Sequence, residues 1–258
     1  MISTGAGRRR VTSPAARPLR LAMWSGPRNI STAMMRAWGN RPDAAVLDEP
    51  LYGYYLAATG LDHPGRHDII ASQPSDWRDV VAALTGPVPG GKAIFYQKHM
   101  THHLLEAVDR AWLAEMTNCF LIRDPVEVLA SYTRVRDAVT LEDLGLPQQV
   151  EIFEAERAHG GAVPPVLDAR DVLRHPRALL ERLCAALGIA FDERMLCWPP
   201  GRRDTDGVWA EHWYAKVEAT TGFAPYRAPA EPLADALKPL AEAAAPYYRR
   251  LYEHRMRP

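Results

Sequence analysis

The sequence contains 258 residues, of which 47% are hydrophobic and 24% are charged. This length is typical of one large domain or two small ones, and the composition excludes a wholly disordered chain and a coiled coil. The 31 Lys and Arg residues balance the 31 Asp and Glu residues, so we expect no nucleic-acid partner, because general nucleic-acid binders are clearly basic. No apolar run approaches the roughly 20 residues that a helix needs to span a bilayer.

The N-terminal residues are basic and polar. Five arginines and no acidic residue occur among the first twenty residues. We expect residues 1–18 to form a disordered basic extension, with a transit peptide as the alternative. Residues 19–258 contain no clear interdomain linker, and we expect them to form a single domain.

Three cysteines occur at spacings unlike those of a metal clip or a redox pair: Cys119, Cys184 and Cys197. Cys119 lies in an apolar run and Cys184 in a helical pattern, so we interpret both as small core residues. This use of cysteine favours a reducing compartment, and we expect the protein to be cytoplasmic.

Short apolar runs alternate with helical patterns along the chain. The predicted strands cover residues 21–24, 44–47, 92–97, 119–122 and 165–168. The predicted helices cover residues 31–38, 76–85, 125 to about 135, and 175–187. Asp76 is a helix start signal and Gly188 a stop signal. Residues 199–223 are predicted to form a structured loop, and residues 233–254 a helical tail interrupted by two prolines. This alternation predicts an α/β fold with a parallel sheet covered on both faces.

The turn between the first predicted strand and its helix is the first candidate anion site. It reads Gly-Pro-Arg-Asn-Ile-Ser-Thr over residues 26–32, so Arg28, Ser31 and Thr32 lie at the start of the helix. A helix N-terminus offers unpaired N–H groups and the positive end of the helix dipole. A cation and two hydroxyls at that point can cradle phosphate or sulfate. The Gly-Lys-Ser/Thr ending of a Walker A loop is absent. The alternative is a capped helix beside an incidental arginine.

The end of the fourth predicted strand is the second candidate anion site. Arg123 ends this strand, Asp124 and Pro125 start the next helix, and Ser131 follows Arg123 by eight residues. A side chain at a strand end and another two turns into the following helix can converge on one anion. In the alternative interpretation, Arg123 pairs with an acidic residue and Ser131 faces solvent.

Together, these two segments resemble motifs of the sulfotransferases that use 3′-phosphoadenosine 5′-phosphosulfate (PAPS). The family's phosphosulfate loop reads Pro-Lys-Ser-Gly-Thr-Thr, and residues 27–32 are similar, with Arg28 in place of lysine and Ile30 in place of glycine. The family's 3′-phosphate motif pairs an arginine with a serine eight residues later, and Arg123 and Ser131 have this spacing. Residues 166–196 resemble the family's strand, Glu-Asp-Leu turn and proline-led helix, although an alanine replaces the tyrosine that often contacts adenine.

The resemblance implies a three-layer fold like that of the P-loop nucleoside kinases, with a C-terminal helical and loop elaboration. It also implies PAPS as the sulfuryl donor, 3′,5′-adenosine diphosphate (3′,5′-ADP) as the product, and no metal. The residues implied to bind the donor are Pro27, Arg28, Asn29, Ser31, Thr32, Arg123 and Ser131. Arg202 and Arg203 are added because Gly201-Arg202-Arg203 resembles the family's Arg-Lys-Gly loop over the 3′-phosphate.

Two residues are candidates for the general base that takes the acceptor proton. Glu49 follows the second predicted strand, which places it near the loop of Arg28, and several carbohydrate sulfotransferases look similar there. His99 follows Lys98 near the end of the third strand and resembles the family's Lys-Thr-His with an offset of one residue, which would point it to the opposite face. We favour Glu49, with His99 second, and expect Lys98 and Arg28 to stabilise sulfuryl and phosphate oxygens. A helix cap or a surface carboxylate is the alternative for Glu49.

A group of polar residues after the third strand has a spacing that fits one helix face: His99, His102, His103 and Glu106. A metal site is one interpretation. Adjacent histidines diverge by about 100° on a helix, however, so we favour solvated helix polarity or a lining of the acceptor pocket.

The function that these observations favour is transfer of a sulfuryl group from PAPS to a hydroxyl or amine of an unidentified small molecule. One alternative is a P-loop-type kinase or nucleotide hydrolase, which needs Mg²⁺ ligands and a Walker lysine. The other is a catalytically degenerate nucleotide-binding module of the same fold.

Overall fold

A five-stranded parallel sheet forms the centre of the protein. The computed structural model describes residues 17–132, 139–159 and 161–258, so the predicted extension over residues 1–18 lies almost entirely outside the described residues. The strands are β1 (Leu19–Ser25), β2 (Ala44–Asp48), β3 (Ile94–Met100), β4 (Thr117–Ile122) and β5 (Val166–Asp168). Their order in the sheet is β2-β3-β1-β4-β5, and every neighbouring pair is parallel. The predicted α/β class with a parallel sheet is therefore confirmed.

The central strand β1 is buried on both faces. Leu21 and Met23 belong to one hydrophobic cluster, and Ala22 and Trp24 belong to the other, because successive side chains of a strand point to opposite sides of the sheet. All four side chains are fully buried. An unbroken apolar run of this kind is typical of a parallel strand with both faces covered, which explains why the sequence located β1 to within two residues.

Helices connect the strands and cover the sheet. In the described residues they are α1 (Ser31–Gly39), α2 (Tyr52–Thr59), α3 (Arg66–Ser72), α4 (Trp77–Thr85), α5 (Pro125–Tyr132), α6 (Leu146–Ala158), α7 (Ala169–Arg174), α8 (Pro176–Ala186), α9 (Ala210–Trp213), α10 (Ala215–Glu218) and α11 (Lys238–Tyr252). Asp76 caps α4 as predicted, since its carboxylate accepts a hydrogen bond from the N–H of Arg78 at 2.9 Å. Gly188 follows α8 at a φ of +69°, in the left-handed conformation that favours glycine. Within the described ranges, none of these helices combines the length and apolarity needed to cross a membrane.

The region after β3 differs from its prediction. Strand β3 continues to Met100, and a short 3₁₀ turn over Thr101–His103 follows it. The predicted helix face through His99, His102, His103 and Glu106 was therefore wrong. Strand β3 continues from the apolar residues 94–96 into the polar residues 97–99 because it lies between two neighbouring strands. Strands β1 and β2 supply hydrogen bonds to it on both sides.

The C-terminal helix also differs from its prediction. Helix α11 runs through Pro246 without a break, whereas the sequence predicted an interruption there. Pro239 stands in the first turn of α11, where its missing N–H has no partner to lose. Ala241, Ala244 and Leu251 are buried along one side of α11, and this packing outweighs the single hydrogen bond that Pro246 removes.

The carboxyl ends of the strands meet at one edge of the sheet. Strand β1 lies between β3 and β4, so the chain connections diverge there and leave a crevice above the strand ends. The register places Asp48 beside Lys98 at this edge, and Ser25 beside Met100. In open parallel sheets, ligands bind in such a crevice, outside the carboxyl ends of the strands.

A buried ion pair joins the loop before α9 to α1. The Arg36 guanidinium donates two hydrogen bonds to Asp206, at 2.5 and 2.6 Å, and both side chains are almost completely buried. Asp206 also accepts a hydrogen bond from the N–H of Arg203 at 2.8 Å. This pair therefore fixes the C-terminal segment that closes one side of the crevice.

We predict that Arg36→Met lowers the free energy of unfolding by about 3–5 kcal/mol, because it leaves the Asp206 carboxylate buried without its cation. The measurement is urea unfolding at pH 7. Arg78→Met is the matched control, since Arg78 pairs with Asp76 in solvent and such pairs contribute about 0–1 kcal/mol. Equal losses in the two variants would contradict the structural role of the buried pair.

Candidate active site

A cavity of about 580 Å³ lies above the carboxyl ends of the strands. The loop between β1 and α1 forms one wall, and Glu49, Lys98 and Met100 form its floor. The opposite side is contributed by the C-terminal segment, through Trp213, Tyr214, Lys216, Val217, Thr220, Gly222 and Ala224. The cavity therefore brings together parts of the chain that are far apart in the sequence.

The β1–α1 loop presents the start of α1 to the cavity. The first N–H groups of a helix have no carbonyl one turn earlier, and Ser31, Thr32 and Ala33 all line the cavity. Asn29 holds the loop in place, because its amide donates a hydrogen bond to the Leu121 carbonyl at 2.9 Å and its side-chain oxygen accepts one from Ile30 N–H. This end of α1 can therefore donate hydrogen bonds to an anion.

The backbone of this loop explains how isoleucine replaces glycine at position 30. Ile30 has a φ of −92°, which any L-residue adopts. The left-handed conformation occurs instead at Arg28, where φ is +53°. Position 30 therefore does not require glycine, and the strained backbone lies at Arg28, at a cost of about 1–3 kcal/mol.

Three residues of the two predicted anion motifs converge at this wall. The Arg28 Nε donates a hydrogen bond to Ser131 Oγ at 3.0 Å, and Arg123 Nη1 donates one to the Arg28 carbonyl at 2.7 Å. All three side chains line the cavity. Burial and the neighbouring Arg123 cation both lower the pKa of Arg28. Two cations held this close favour an anion between or beside them.

A buried carboxylate that the sequence analysis missed positions Arg123. Glu127 accepts hydrogen bonds from Arg123 at 3.1 Å, from Arg170 at 3.0 Å and from the Tyr226 hydroxyl at 2.7 Å. Burial alone would raise the pKa of Glu127, but the hydrogen bonds from Tyr226 and Arg123 outweigh it and the pKa is lowered. Arg123 thus pairs with an acidic residue and still faces the cavity. The spacing of four residues between Arg123 and Glu127 is the sequence feature that could have predicted this ion pair.

The floor of the cavity contains a buried cluster of charged groups. The Lys98 ammonium donates hydrogen bonds to Asp48 at 2.9 Å, to the Tyr214 hydroxyl at 2.7 Å and to Glu49. Tyr214 donates to Asp48 at 2.7 Å, and the N–H of Gly207 donates to the same carboxylate at 3.1 Å. Glu49 has a φ of +37°, and this left-handed turn directs its side chain into the cavity. The sequence analysis singled out Glu49 and Lys98 but missed Asp48, although Asp48 ends β2 at the same edge.

The charges in this cluster shift one another's proton affinities. Burial raises the pKa of Glu49; the Lys98 cation lowers it, and the Asp48 carboxylate raises it again, so that the net shift is upward. Burial alone would lower the pKa of Lys98, but the two carboxylates raise it well above its usual value. Lys98 is therefore charged at neutral pH, and Glu49 has the raised proton affinity that suits a general base.

His99 lies on the other face of β3, away from the cavity. Its ring stacks on Trp24 with centroids 4.3 Å apart and lies close to Trp112. Its Nε2 is 3.2 Å from the side-chain oxygen of Gln97. Burial lowers the pKa of His99 to about 3, so the ring is neutral. The structure thus separates the two candidate bases and places Glu49, not His99, at the cavity.

Arg202 and Arg203 also lie outside the cavity lining. The Arg203 guanidinium donates to the Pro199 carbonyl at 3.4 Å, and burial together with the nearby Arg36 cation lowers its pKa. Arg202 is exposed. The structure therefore does not bring this pair to Arg123 and Ser131.

Aromatic and imidazole rings form a further part of the cavity lining, through Tyr52, His63, His102 and His103. The His103 ring stacks on Tyr52 and Tyr55 with centroids 4.5 and 4.7 Å apart, and the Tyr52 hydroxyl lies 2.8 Å from His63 Nδ1. Burial lowers the pKa of His103 well below its usual value. Across residues 17–132, 139–159 and 161–258, no group of three or more His, Cys, Asp or Glu side chains is arranged to hold a metal ion.

We predict that Gly26→Ala displaces the β1–α1 loop and lowers the melting temperature. An added Cβ would lie 2.2 Å from the Leu144 carbonyl oxygen, and relieving such a clash costs about 1–3 kcal/mol. Gly161→Ala is the matched control, because nothing lies within 4 Å of the added carbon. Calorimetric melting of both variants measures the difference. An unchanged melting temperature for Gly26→Ala would contradict the close approach of the Gly26 backbone to the Leu144 carbonyl.

Comparison with known proteins identifies the family of this chain. The family model described as the sulfotransferase domain matches residues 19–255. Two curated Arabidopsis thaliana proteins, branched-chain-amino-acid aminotransferase-like proteins 1 and 2, are 36% and 34% identical over 81% and 78% of this chain. The matched part is 37% and 35% of their length, so the chain spans about a third of either relative.

The fold of this chain also occurs in a solved structure. The sulfotransferase domain from the curacin biosynthetic pathway has a TM-score of 0.51 at 17% identity, over 94% of this chain and 100% of that domain. Because the family model covers residues 19–255 and the structure has the corresponding fold, the chain belongs to the sulfotransferase domain family.

Proposed function

We propose that the protein transfers a sulfuryl group from PAPS to a hydroxyl or amine of a small acceptor. The observation that carries this proposal is the convergence of Arg28, Arg123 and Ser131 at the start of α1. The same cavity contains Glu49 and Lys98, a carboxylate and an ammonium on its floor. Anion binding and proton removal are the two tasks that sulfuryl transfer requires of a protein.

The residues at the β1–α1 loop fit a donor with two phosphate groups. Arg28 and the first N–H groups of α1 would bind the 5′-phosphosulfate, and Arg123 with Ser131 would bind the 3′-phosphate. The lowered pKa of Arg28, caused by burial and by Arg123, supports this assignment, because a bound anion relieves the repulsion between the two cations. Asn29 contributes indirectly, since its side chain holds the loop against β4.

Glu49 is the group best placed to act as the base. It lines the cavity next to Lys98, and its raised pKa makes its carboxylate a stronger base than an exposed glutamate. It would take the proton of the acceptor as the acceptor atom attacks sulfur in line with the departing phosphate. Lys98 would stabilise negative charge on the sulfuryl oxygens, and Arg28 charge on the leaving phosphate.

Donor binding can be tested without knowing the acceptor. We predict that the protein binds 3′,5′-ADP in the absence of Mg²⁺, and that Arg123→Ala weakens this binding about 10- to 100-fold, the value of one charge-assisted hydrogen bond. Isothermal titration calorimetry measures both affinities. Binding of 5′-AMP, which lacks the 3′-phosphate, should change by less than about threefold in the same variant.

The controls decide between the alternatives. Arg78→Ala removes an exposed arginine far from the cavity and should leave the affinity for 3′,5′-ADP unchanged. A wild-type protein that prefers ATP–Mg²⁺ over 3′,5′-ADP would favour a kinase or nucleotide hydrolase instead. A wild-type protein that binds 3′,5′-ADP but transfers no sulfuryl group to any acceptor tested would favour the degenerate module.

Substitution of each candidate base tests which of them takes the acceptor proton. Glu49→Gln should reduce turnover about 10²- to 10⁴-fold, the range for loss of a general base, while the affinity for 3′,5′-ADP remains close to that of the wild type. The assay follows 3′,5′-ADP release from PAPS with the best acceptor from a panel of small alcohols, phenols and amines. His99→Gln is the comparison variant, and a larger loss of turnover there than in Glu49→Gln would assign the base to His99.

A further inference from the structure

The Lys98 ammonium has as many hydrogen-bond partners as it has protons. An ammonium group donates three hydrogen bonds, and Lys98 donates one each to Asp48, Glu49 and Tyr214. A new partner in the cavity can therefore be contacted only if one of these three is released. Which of them is released follows from how firmly each is held.

Two of the three partners are fixed by further contacts. Asp48 is almost completely buried and also accepts hydrogen bonds from Tyr214 and from the N–H of Gly207. The Tyr214 hydroxyl accepts an additional hydrogen bond from Trp209 Nε1 at 3.2 Å. Both partners are thus part of a connected network whose members restrain one another.

Glu49 is held less firmly at its carboxylate. Among the described residues, its side-chain hydrogen bond is the one from Lys98. Its backbone, in contrast, is fixed: its N–H donates to the Lys98 carbonyl at 2.9 Å, and its own carbonyl accepts from Gln73 at 3.0 Å. The carboxylate therefore stays at the cavity floor while its contact with Lys98 can change.

We propose that Asp48 is a positioning residue that holds Lys98 between two carboxylates, so that protonation of Glu49 releases one Lys98 N–H toward the group being transferred. This inference rests on the proposed function. It extends that function by joining proton removal and charge stabilisation into one step. Asp48 keeps the Lys98 ammonium in place when the hydrogen bond between Lys98 and Glu49 is lost.

Proton transfer to Glu49 accompanies transfer of the sulfuryl group. The acceptor O–H proton moves to the Glu49 carboxylate, and the acceptor oxygen forms a bond to sulfur. The bond from sulfur to the phosphate oxygen breaks, and its electron pair stays on the phosphate. Glu49 becomes neutral, which weakens its hydrogen bond from Lys98 because an uncharged acceptor attracts an ammonium less strongly. The freed N–H can then bind a sulfuryl oxygen.

The charged groups around Glu49 shift its pKa, and this shift can be measured. Asp48 lies on the same turn, Lys98 on β3, Tyr52 on α2 and Tyr214 between α9 and α10. Asp48 and Lys98 carry the charges that act on Glu49, and they act in opposite directions. Removing the Asp48 charge should therefore lower the pKa of Glu49, and removing the Lys98 charge should raise it.

The test is a titration of Glu49 in the intact protein. Carboxyl carbons of glutamate are labelled with ¹³C, and the Glu49 signal is assigned by its loss in Glu49→Gln. We expect Asp48→Asn to lower the pKa of Glu49 by about 1–3 units and Lys98→Met to raise it by a similar amount, the range for a charge within about 4–6 Å. Tyr214→Phe keeps both charges and should shift the pKa by less than half of the Asp48→Asn shift.

The outcomes separate a positioning role from a merely structural one. Asp206→Asn disturbs another buried carboxylate, the partner of Arg36, and should leave the Glu49 titration unchanged. An unchanged Glu49 pKa in Asp48→Asn, or shifts of the same sign in Asp48→Asn and Lys98→Met, would overturn the proposal. Should Asp48→Asn fail to fold, the sign of the Lys98→Met shift decides alone.

The experiment is independent of the proposed function. The titration needs neither PAPS nor an acceptor, so a protein that does not bind 3′,5′-ADP loses the proposed function while the titration still tests the cluster. Where turnover is measurable, the acid limb of its pH profile should move to lower pH in Asp48→Asn, with a lower maximal rate and little change in 3′,5′-ADP affinity.

Discussion

One buried ammonium group organises the centre of this protein. Lys98 lies at the end of β3, between Asp48 at the end of β2 and Glu49 in the turn that follows. Burying a charge is costly unless it is paired and hydrogen-bonded, so the three residues require one another. Because Tyr214 joins the same cluster, the C-terminal segment is attached to the sheet edge at the floor of the cavity.

Much of the fold could be predicted because its signals are local in the sequence. The apolar runs that became β1 and β4 are continuous because both strands lie inside the sheet and have both faces covered. The spacing from Arg123 to Ser131 and the order of residues 27–32 are likewise local, so the sequence could single out both segments as candidate anion sites. The hydrogen bond between Arg28 and Ser131 joins them as expected for one site.

The remaining features depend on contacts between distant parts of the chain. Asp48 and Tyr214 are 166 residues apart, and no periodicity links them. The sequence directed His99 to the opposite face only if β3 continued, and the predicted strand ended at residue 97, three residues before the observed end at Met100. Helix α11 tolerates Pro246 because its other side is packed against α5 and α6, which no propensity of the segment itself reveals.

Two non-glycine residues adopt a left-handed backbone, and this strain affects which variants a screen for thermal stability would recover. In the described residues, Arg28 and Glu49 are the two that adopt it, and both line the cavity. Glycine or asparagine would occupy either conformation with less strain. A library screened for heat resistance alone would therefore be enriched in replacements at Arg28, whereas a replacement of Glu49 would also remove a partner of the buried Lys98 ammonium. Such screening would discard the Arg28 cation at the cavity, because it selects for relief of backbone strain and not for what the side chain contacts.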